Sequence, residues 1–177
     1  MGKTAVALTV LHHKCIVQKF SDRRRFIRCD KFPTSIVNFL DRLSTVIGTG
    51  MKNVTSLVPL QSFITTQQMI LVLDNTETIL NPHVQDAHAI YLVVEELSQF
   101  PNLCLIITSH LSTIPPDCKR INVPTLSKDA ARGMFYRIYP EGERSILVDS
   151  LLEQLDFYPL SIMILATVAS QKLWDYH

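Results

Sequence analysis

The residues with the clearest capacity for chemistry stand at the start of the chain, Gly2-Lys3-Thr4. A glycine that lets the backbone turn, followed by a lysine and a hydroxyl residue opening a helix, is suited to holding phosphate. The free amides and the positive end of the helix dipole face the anion, the ammonium reaches its outer oxygens, and the threonine hydroxyl ligates magnesium. Such a tripeptide also arises by chance, so its meaning depends on what the rest of the chain supplies. The fuller pattern, G-x-x-x-x-G-K-[ST], has an upstream glycine, and here the chain begins one residue before Gly2.

The run Met69-Ile70-Leu71-Val72-Leu73 reads as a strand buried on both faces, and it delivers Asp74, followed by Asn75-Thr76-Glu77. A carboxylate at the C-terminal end of a parallel strand lies where α/β sheets bind ligands. Asp74 is placed to hold magnesium, and Glu77 to orient or deprotonate an attacking water. The plainer alternative is a solvated acid pair capping the next loop. A second apolar run, Leu103 to Ile107, ends in Thr108-Ser109-His110, polar groups aimed at the same sheet edge. Pro159-Leu160 opens an apolar helix, where proline alone is ordinary punctuation.

These residues need elements to position them. A helix is expected to start at the lysine and to run from Ala5 to Phe20, with no glycine or proline to interrupt it. A short strand follows over Phe26 to Cys29, then a helix from Thr34 to Ile47 that stops at Gly48-Thr49-Gly50. Ala87 to Phe100 reads as a helix between the two buried strands. This strand, helix, strand order implies a right-handed crossover and an α/β sandwich. A last short strand is expected within Arg120 to Val123. From Leu126 onward only helices are expected, over Ser127–Tyr139, Glu143–Leu155 and Leu160–Trp174, with Ser127 as a cap. The composition change puts a boundary near Pro124-Thr125, giving an α/β domain over 1–124 and a helical one over 125–177.

The chain has 177 residues, 47% hydrophobic and 19% charged, which is the make-up of a folded domain rather than a disordered one. A net charge of +1 provides no general attraction to nucleic acid or anionic membrane. The four cysteines form no CxxC pair and no zinc spacing, and are expected as reduced thiols of a cytoplasmic protein. The longest apolar run, Ile162 to Ala169, is far shorter than the roughly 20 residues that span a bilayer, so no membrane partner is expected. Arg23-Arg24-Arg25 reads as a solvated turn with no nucleic-acid partner, and His12-His13, adjacent on a helix, point apart rather than toward one metal.

In this order and spacing the motifs resemble the NB-ARC and NACHT-like signal-transduction ATPases with numerous domains, over nearly the whole chain. Gly2-Lys3-Thr4 is similar to the end of their Walker A loop, and Leu71 to Glu77 to their Walker B strand. Ile107-Thr108-Ser109-His110 is similar to the sensor strand, and Val123-Pro124-Thr125-Leu126-Ser127, with Ala130 and Phe135, to the approach to the small helical domain. Tyr158-Pro159-Leu160 resembles the Gly-Leu-Pro-Leu motif whose proline lies by the adenine.

The resemblance implies a three-layer P-loop NTPase sandwich with a parallel sheet, followed by a small all-helical subdomain. It implies a switch module that binds ATP or ADP with Mg2+ and controls self-association in the full-length protein. Gly2, Lys3, Thr4, Ser109, His110 and Pro159 would contact nucleotide, Thr4 and Asp74 would hold magnesium, and Asp74 and Glu77 would be catalytic. Two departures stand out. His110 occupies the position where the family usually has arginine, and the first strand, which in the family lies inside the sheet, is missing ahead of the loop, so a fragment is expected. The alternatives are a non-catalytic scaffold or interaction module that no longer binds nucleotide, and another P-loop enzyme such as a kinase or helicase. The Pro159-Leu160 helical tail argues against the latter.

Overall fold

Three stretches of the computed structural model, which describes residues 2–31, 33–111, 115–141 and 147–172, pair into a parallel sheet. β1 (Arg24–Arg28), β2 (Met69–Asp74) and β3 (Leu103–Ile107) lie in that spatial order. Arg24 is opposite Ile70 and Arg28 opposite Asp74, while on the other side of β2 Met69 is opposite Leu103 and Leu73 opposite Ile107. β2 is buried at every position, as a central strand with layers on both faces must be.

Alternate strand residues feed two separate cores, the period-2 signature of a sheet covered on both sides. Ile27, Leu71, Leu73, Leu105 and Ile107 belong to one core, and Phe26, Ile70, Val72 and Ile106 to the other. The first core also takes Phe39, Leu40 and Leu43 from α3 (Ile36–Ile47), Leu60 and Ile64 from α4 (Val58–Thr66), and Ile90, Val94 and Leu97 from α6 (Ala87–Ser98). The second takes Ala7 and Leu11 from α1 (Lys3–His12) and Phe20 from α2 (Lys14–Phe20). Both crossovers thus lay their helices on one face, as connections of constant hand require when strand order advances in one direction. The four-residue α5 (Glu77–Leu80) follows β2 directly. This is a mixed α/β architecture with a small three-stranded parallel sheet.

Local chemistry explains most element ends. Ser35 caps α3, its side chain accepting from the Asn38 amide at 3.2 Å, and Gly48 closes it in the left-handed conformation at φ 102°. The single helix expected over Ala5 to Phe20 is instead two, because His13 takes an extended backbone with ψ 137°. The Arg24 guanidinium donates to the Leu11 carbonyl at 2.8 Å at this break, satisfying an acceptor at the end of α1. The strand expected over Arg120 to Val123 is not formed. This backbone is irregular, and Ile121 is 77% exposed, so the segment has no buried face to anchor a pairing.

The chain divides into two compact units, one over Lys3–Ile121 and a helical one from Asn122 onward. In the second, α7 (Lys128–Ile138), α8 (Val148–Gln154) and α9 (Pro159–Lys172) enclose Ala131, Phe135, Leu152, Ile162, Ala166 and Ala169. Ser127 caps α7 by accepting from the Ala130 amide at 3.3 Å. Phe135 meets Tyr136 and Tyr139 edge to face, with ring centroids 5.8 and 6.1 Å apart. Arg132 is held by Asp149 across α7 and α8, and Lys128 reaches Glu153 at 2.7 Å. The expected start of a helix at Glu143 and the continuation of the last helix to Trp174 lie outside the described residues. Among the described residues no helix is long and apolar enough to cross a membrane.

Candidate functional site

The polar groups singled out in the first unit meet at the carboxyl ends of the three strands, the edge where parallel α/β sheets present their loops. Gly2 approaches α1 with φ 96°, a left-handed value that favours glycine, and Lys3 and Thr4 are the first helical residues. The first amides of a helix have no intrahelical partner, so this end of α1 presents free donors and the positive end of its dipole.

Asp74, the last residue of β2, is 2% exposed. Its Oδ1 accepts two hydroxyls, from Thr4 Oγ1 at 2.8 Å and from Thr108 Oγ1 at 2.6 Å. A buried carboxylate needs such donors, since an isolated buried charge is very costly. Thr108 Oγ1 also accepts the Asn75 amide at 3.0 Å. The Thr76 amide and hydroxyl both donate to the Thr108 carbonyl, at 3.0 and 3.2 Å. The loops after β2 and β3 are therefore stitched together. Asn75 sits in the left-handed region at φ 65°, a conformation asparagine tolerates better than most residues.

Glu77 opens α5 and faces His110, with Oε1 3.6 Å from Nε2. Its Oε2 is buried with no hydrogen-bond partner among the described residues. On the other edge of the imidazole, Lys3 Nζ lies 3.3 Å from Nδ1. Behind this cluster the thiol of Cys29, buried just after β1, is pushed up to about 12, first by burial and then by the negative charges of Asp74, Asp30 and Glu77. Carboxylates thus crowd this edge of the sheet, and Lys3 supplies a cation to it.

Lys3, Thr4, Asp74, Glu77 and His110 are brought together, although 107 positions separate the ends of the Lys3–His110 contact. Ser109 shares the loop after β3, where its hydroxyl accepts the Leu111 amide at 3.1 Å and shapes the turn. Pro159 belongs to the helical unit, where it opens α9. Thr108 was legible only as part of a polar loop. Its role as the central hydrogen-bonding residue depends on register, which places it next to Asp74 one strand away.

The donor set bears on magnesium as well. Among the described residues no group of three or more His, Cys, Asp or Glu side chains is arranged to hold a metal ion by itself. Magnesium commonly binds through one or two carboxylates together with substrate phosphates and waters. Asp74 and the Thr4 hydroxyl fit that open kind of site and not a closed protein cage.

Fold and cluster together define a mixed α/β unit whose parallel sheet carries, at its carboxyl edge, two threonines bonded to the buried Asp74 and a histidine approached by Lys3 and Glu77. No family model matches the chain, and neither a curated protein nor a solved structure matches it.

Proposed function

We propose that the unit over Lys3–Ile121 binds the phosphates of ATP or ADP and serves as the nucleotide-dependent switch of a signal-transducing P-loop NTPase of the NB-ARC and NACHT type. The observation that carries this is the meeting of the Lys3-Thr4 helix start with Asp74. A hydroxyl from the first turn of α1 lies 2.8 Å from a buried carboxylate at the end of a central parallel strand.

Lys3 neutralises the outer phosphate oxygens, and the free amides at the start of α1 face the anion. Thr4 and Asp74 hold Mg2+, which when bound supplies charge neutralisation for the phosphates. Glu77, with one oxygen buried and unpartnered among the described residues, is the group that orients a water toward the terminal phosphate. His110 stands in the loop after β3 on the side of Lys3. In the full-length protein, exchange or turnover would then control self-association.

The test is a titration of ATP and of ADP, with magnesium, into wild type and Lys3→Ala. A loss of affinity of about tenfold or more is expected for the variant, on the scale of one charge-assisted contact to phosphate. Equal affinity would remove Lys3 from the site and with it the proposal. A second reading, a scaffold that no longer binds nucleotide, is favoured by one observation: the polar groups already satisfy one another, Lys3 on His110 and Thr4 on Asp74. Wild type that binds neither nucleotide would establish it.

A further inference from the structure

The net charge of +1 is the balance of two unlike parts of the chain. Residues 3–28 carry seven lysines and arginines and a single acid, Asp22, whereas residues 53–118 carry six acids and neither a lysine nor an arginine. The fold keeps the two signs apart. α1 and α2, neither of which holds an acidic residue, cover one face of the sheet, and α6, with Glu95 and Glu96, lies on the other. Both layers leave charge unanswered beside exposed apolar side chains. The ion pairs near β1 join Arg23, Arg28 and Lys31 to Asp22 and Asp30, so that Lys14 and Lys19 on α2 have no acidic partner among the described residues. Val6 and Val10, one turn apart on α1, and Val17 on α2 are exposed, Val6 to 47%. On α6 the buried Ala87, Ile90, Val94 and Leu97 turn inward, which leaves Leu92 outward and 49% exposed, within one turn of Glu95 and Glu96. Glu96 accepts the Gln61 side-chain amide at 3.4 Å, and neither acid has a cationic partner among the described residues.

We propose that the α1–α2 layer of one copy of the chain docks on α6 of a second copy, the valines against Leu92 and the lysines against Glu95 and Glu96. Each surface supplies what the other lacks, an apolar patch with surplus positive charge meeting one with surplus negative charge. Such complementarity steers encounter and fixes register. Because the two surfaces differ and lie on opposite faces of one sheet, the contact is heterologous. A pair of copies still has one free surface of each kind, so association continues past the dimer into a ring or a chain. None of these residues belongs to the cluster around Asp74, so the contact does not depend on nucleotide binding.

The experiment is sedimentation velocity of the full chain without nucleotide, over a series of concentrations, at about 0.01 M and about 1 M salt, where charges are felt over about 30 Å and about 3 Å. Wild type is expected to form species larger than a dimer at low salt and to dissociate at high salt. Lys14→Glu with Lys19→Glu sets like charges against each other, as does Glu95→Lys with Glu96→Lys. Each double variant alone should associate at least about tenfold more weakly. Mixed in equal amounts, the two should associate again, since one then presents two acidic surfaces and the other two basic ones. Circular dichroism checks that each is folded, and if a reversal unfolds the chain, glutamine at the same positions tests the same loss. A wild type that is monomeric at low salt overturns the proposal, and cosedimentation of that monomer with phosphatidylserine vesicles would assign the basic layer to an anionic bilayer instead. Association that persists undiminished in either double variant, or a mixture of folded variants that stays monomeric, overturns it as well.

Discussion

Thr108 donates its hydroxyl to Asp74 Oδ1 at 2.6 Å, joining the loop after β3 to the buried carboxylate that ends β2. Thr108 Oγ1 in turn accepts the Asn75 amide at 3.0 Å, so one side chain satisfies a buried acid and holds the first residue of the turn leading to Glu77. Thr108→Val keeps the shape and removes both bonds. It is expected to cost about 1–3 kcal/mol, the penalty for a buried polar group left unpaired, while Thr108→Ser, which keeps the hydroxyl, should cost less. Urea denaturation of the full chain measures both. Equal losses would mean that packing of the methyl group, not the hydroxyl, is what this position contributes.

The core between α3, α6 and the sheet has its own test. Phe39 is fully buried among Leu40, Leu43, Ile90 and Val94. Phe39→Ala is expected to destabilise by about 3–5 kcal/mol through lost burial and the cavity left behind. That is a large share of a domain stability of about 5–15 kcal/mol. Val58, at the start of α4, is 68% exposed, and Val58→Ala should change stability by less than about 0.5 kcal/mol. Denaturant midpoints of the two variants should separate widely.

How far the sequence carried follows from such burial. β2 and β3 were legible because an unbroken apolar run is what a strand covered on both faces requires, and Asp74, Thr108 and His110 came with them as strand-end residues. β1 was legible only from Phe26 onward. It begins at Arg24, whose guanidinium donates to the Ser21 and Leu11 carbonyls. α4 left little trace: its cap position is Leu57, with no capping side chain, and only Leu60 and Ile64 are buried. At the break at His13 the Leu11 carbonyl is taken up by Arg24, 13 positions on, a contact that local pattern does not contain. The pairing of Lys3 with His110 likewise exists only once the sheet is assembled.

Cysteine chemistry should divide by position. Cys15 and Cys104 are exposed, whereas Cys29 is fully buried, its thiol pushed up to about 12 first by burial and then by nearby carboxylates. The thiolate is the reactive form. Brief treatment of the native protein with a maleimide at pH 7, followed by peptide mass mapping, should label Cys15 and Cys104 and leave Cys29 unmodified until denaturant is added. Native labelling of Cys29 would show that the carboxyl edge of the sheet opens far more readily than its packing implies.

The helical unit carries an acid-sensitive contact. Asp149 is held below the ordinary carboxylate range, first by the hydrogen bonds from Arg132 and then by the charges of Arg132 and Lys128, against an opposing effect of desolvation. A carboxyl group whose folded value lies below its unfolded one, about 3.9, gives stability that is fully present above that value. The stability is lost as pH falls through the folded value, so the window lies below about pH 4. Asp30 behaves the same way beside Arg28 in the first unit, again chiefly through its hydrogen bond. Melting temperatures of wild type and Asp149→Asn, followed by circular dichroism from pH 6 to pH 2.5, test this. The variant should melt lower than wild type at pH 6, and the two curves should converge in acid as wild-type Asp149 takes up its proton. A difference that stays constant to pH 2.5 would show that the Arg132 contact works through packing of the side chains and not through the charge of Asp149.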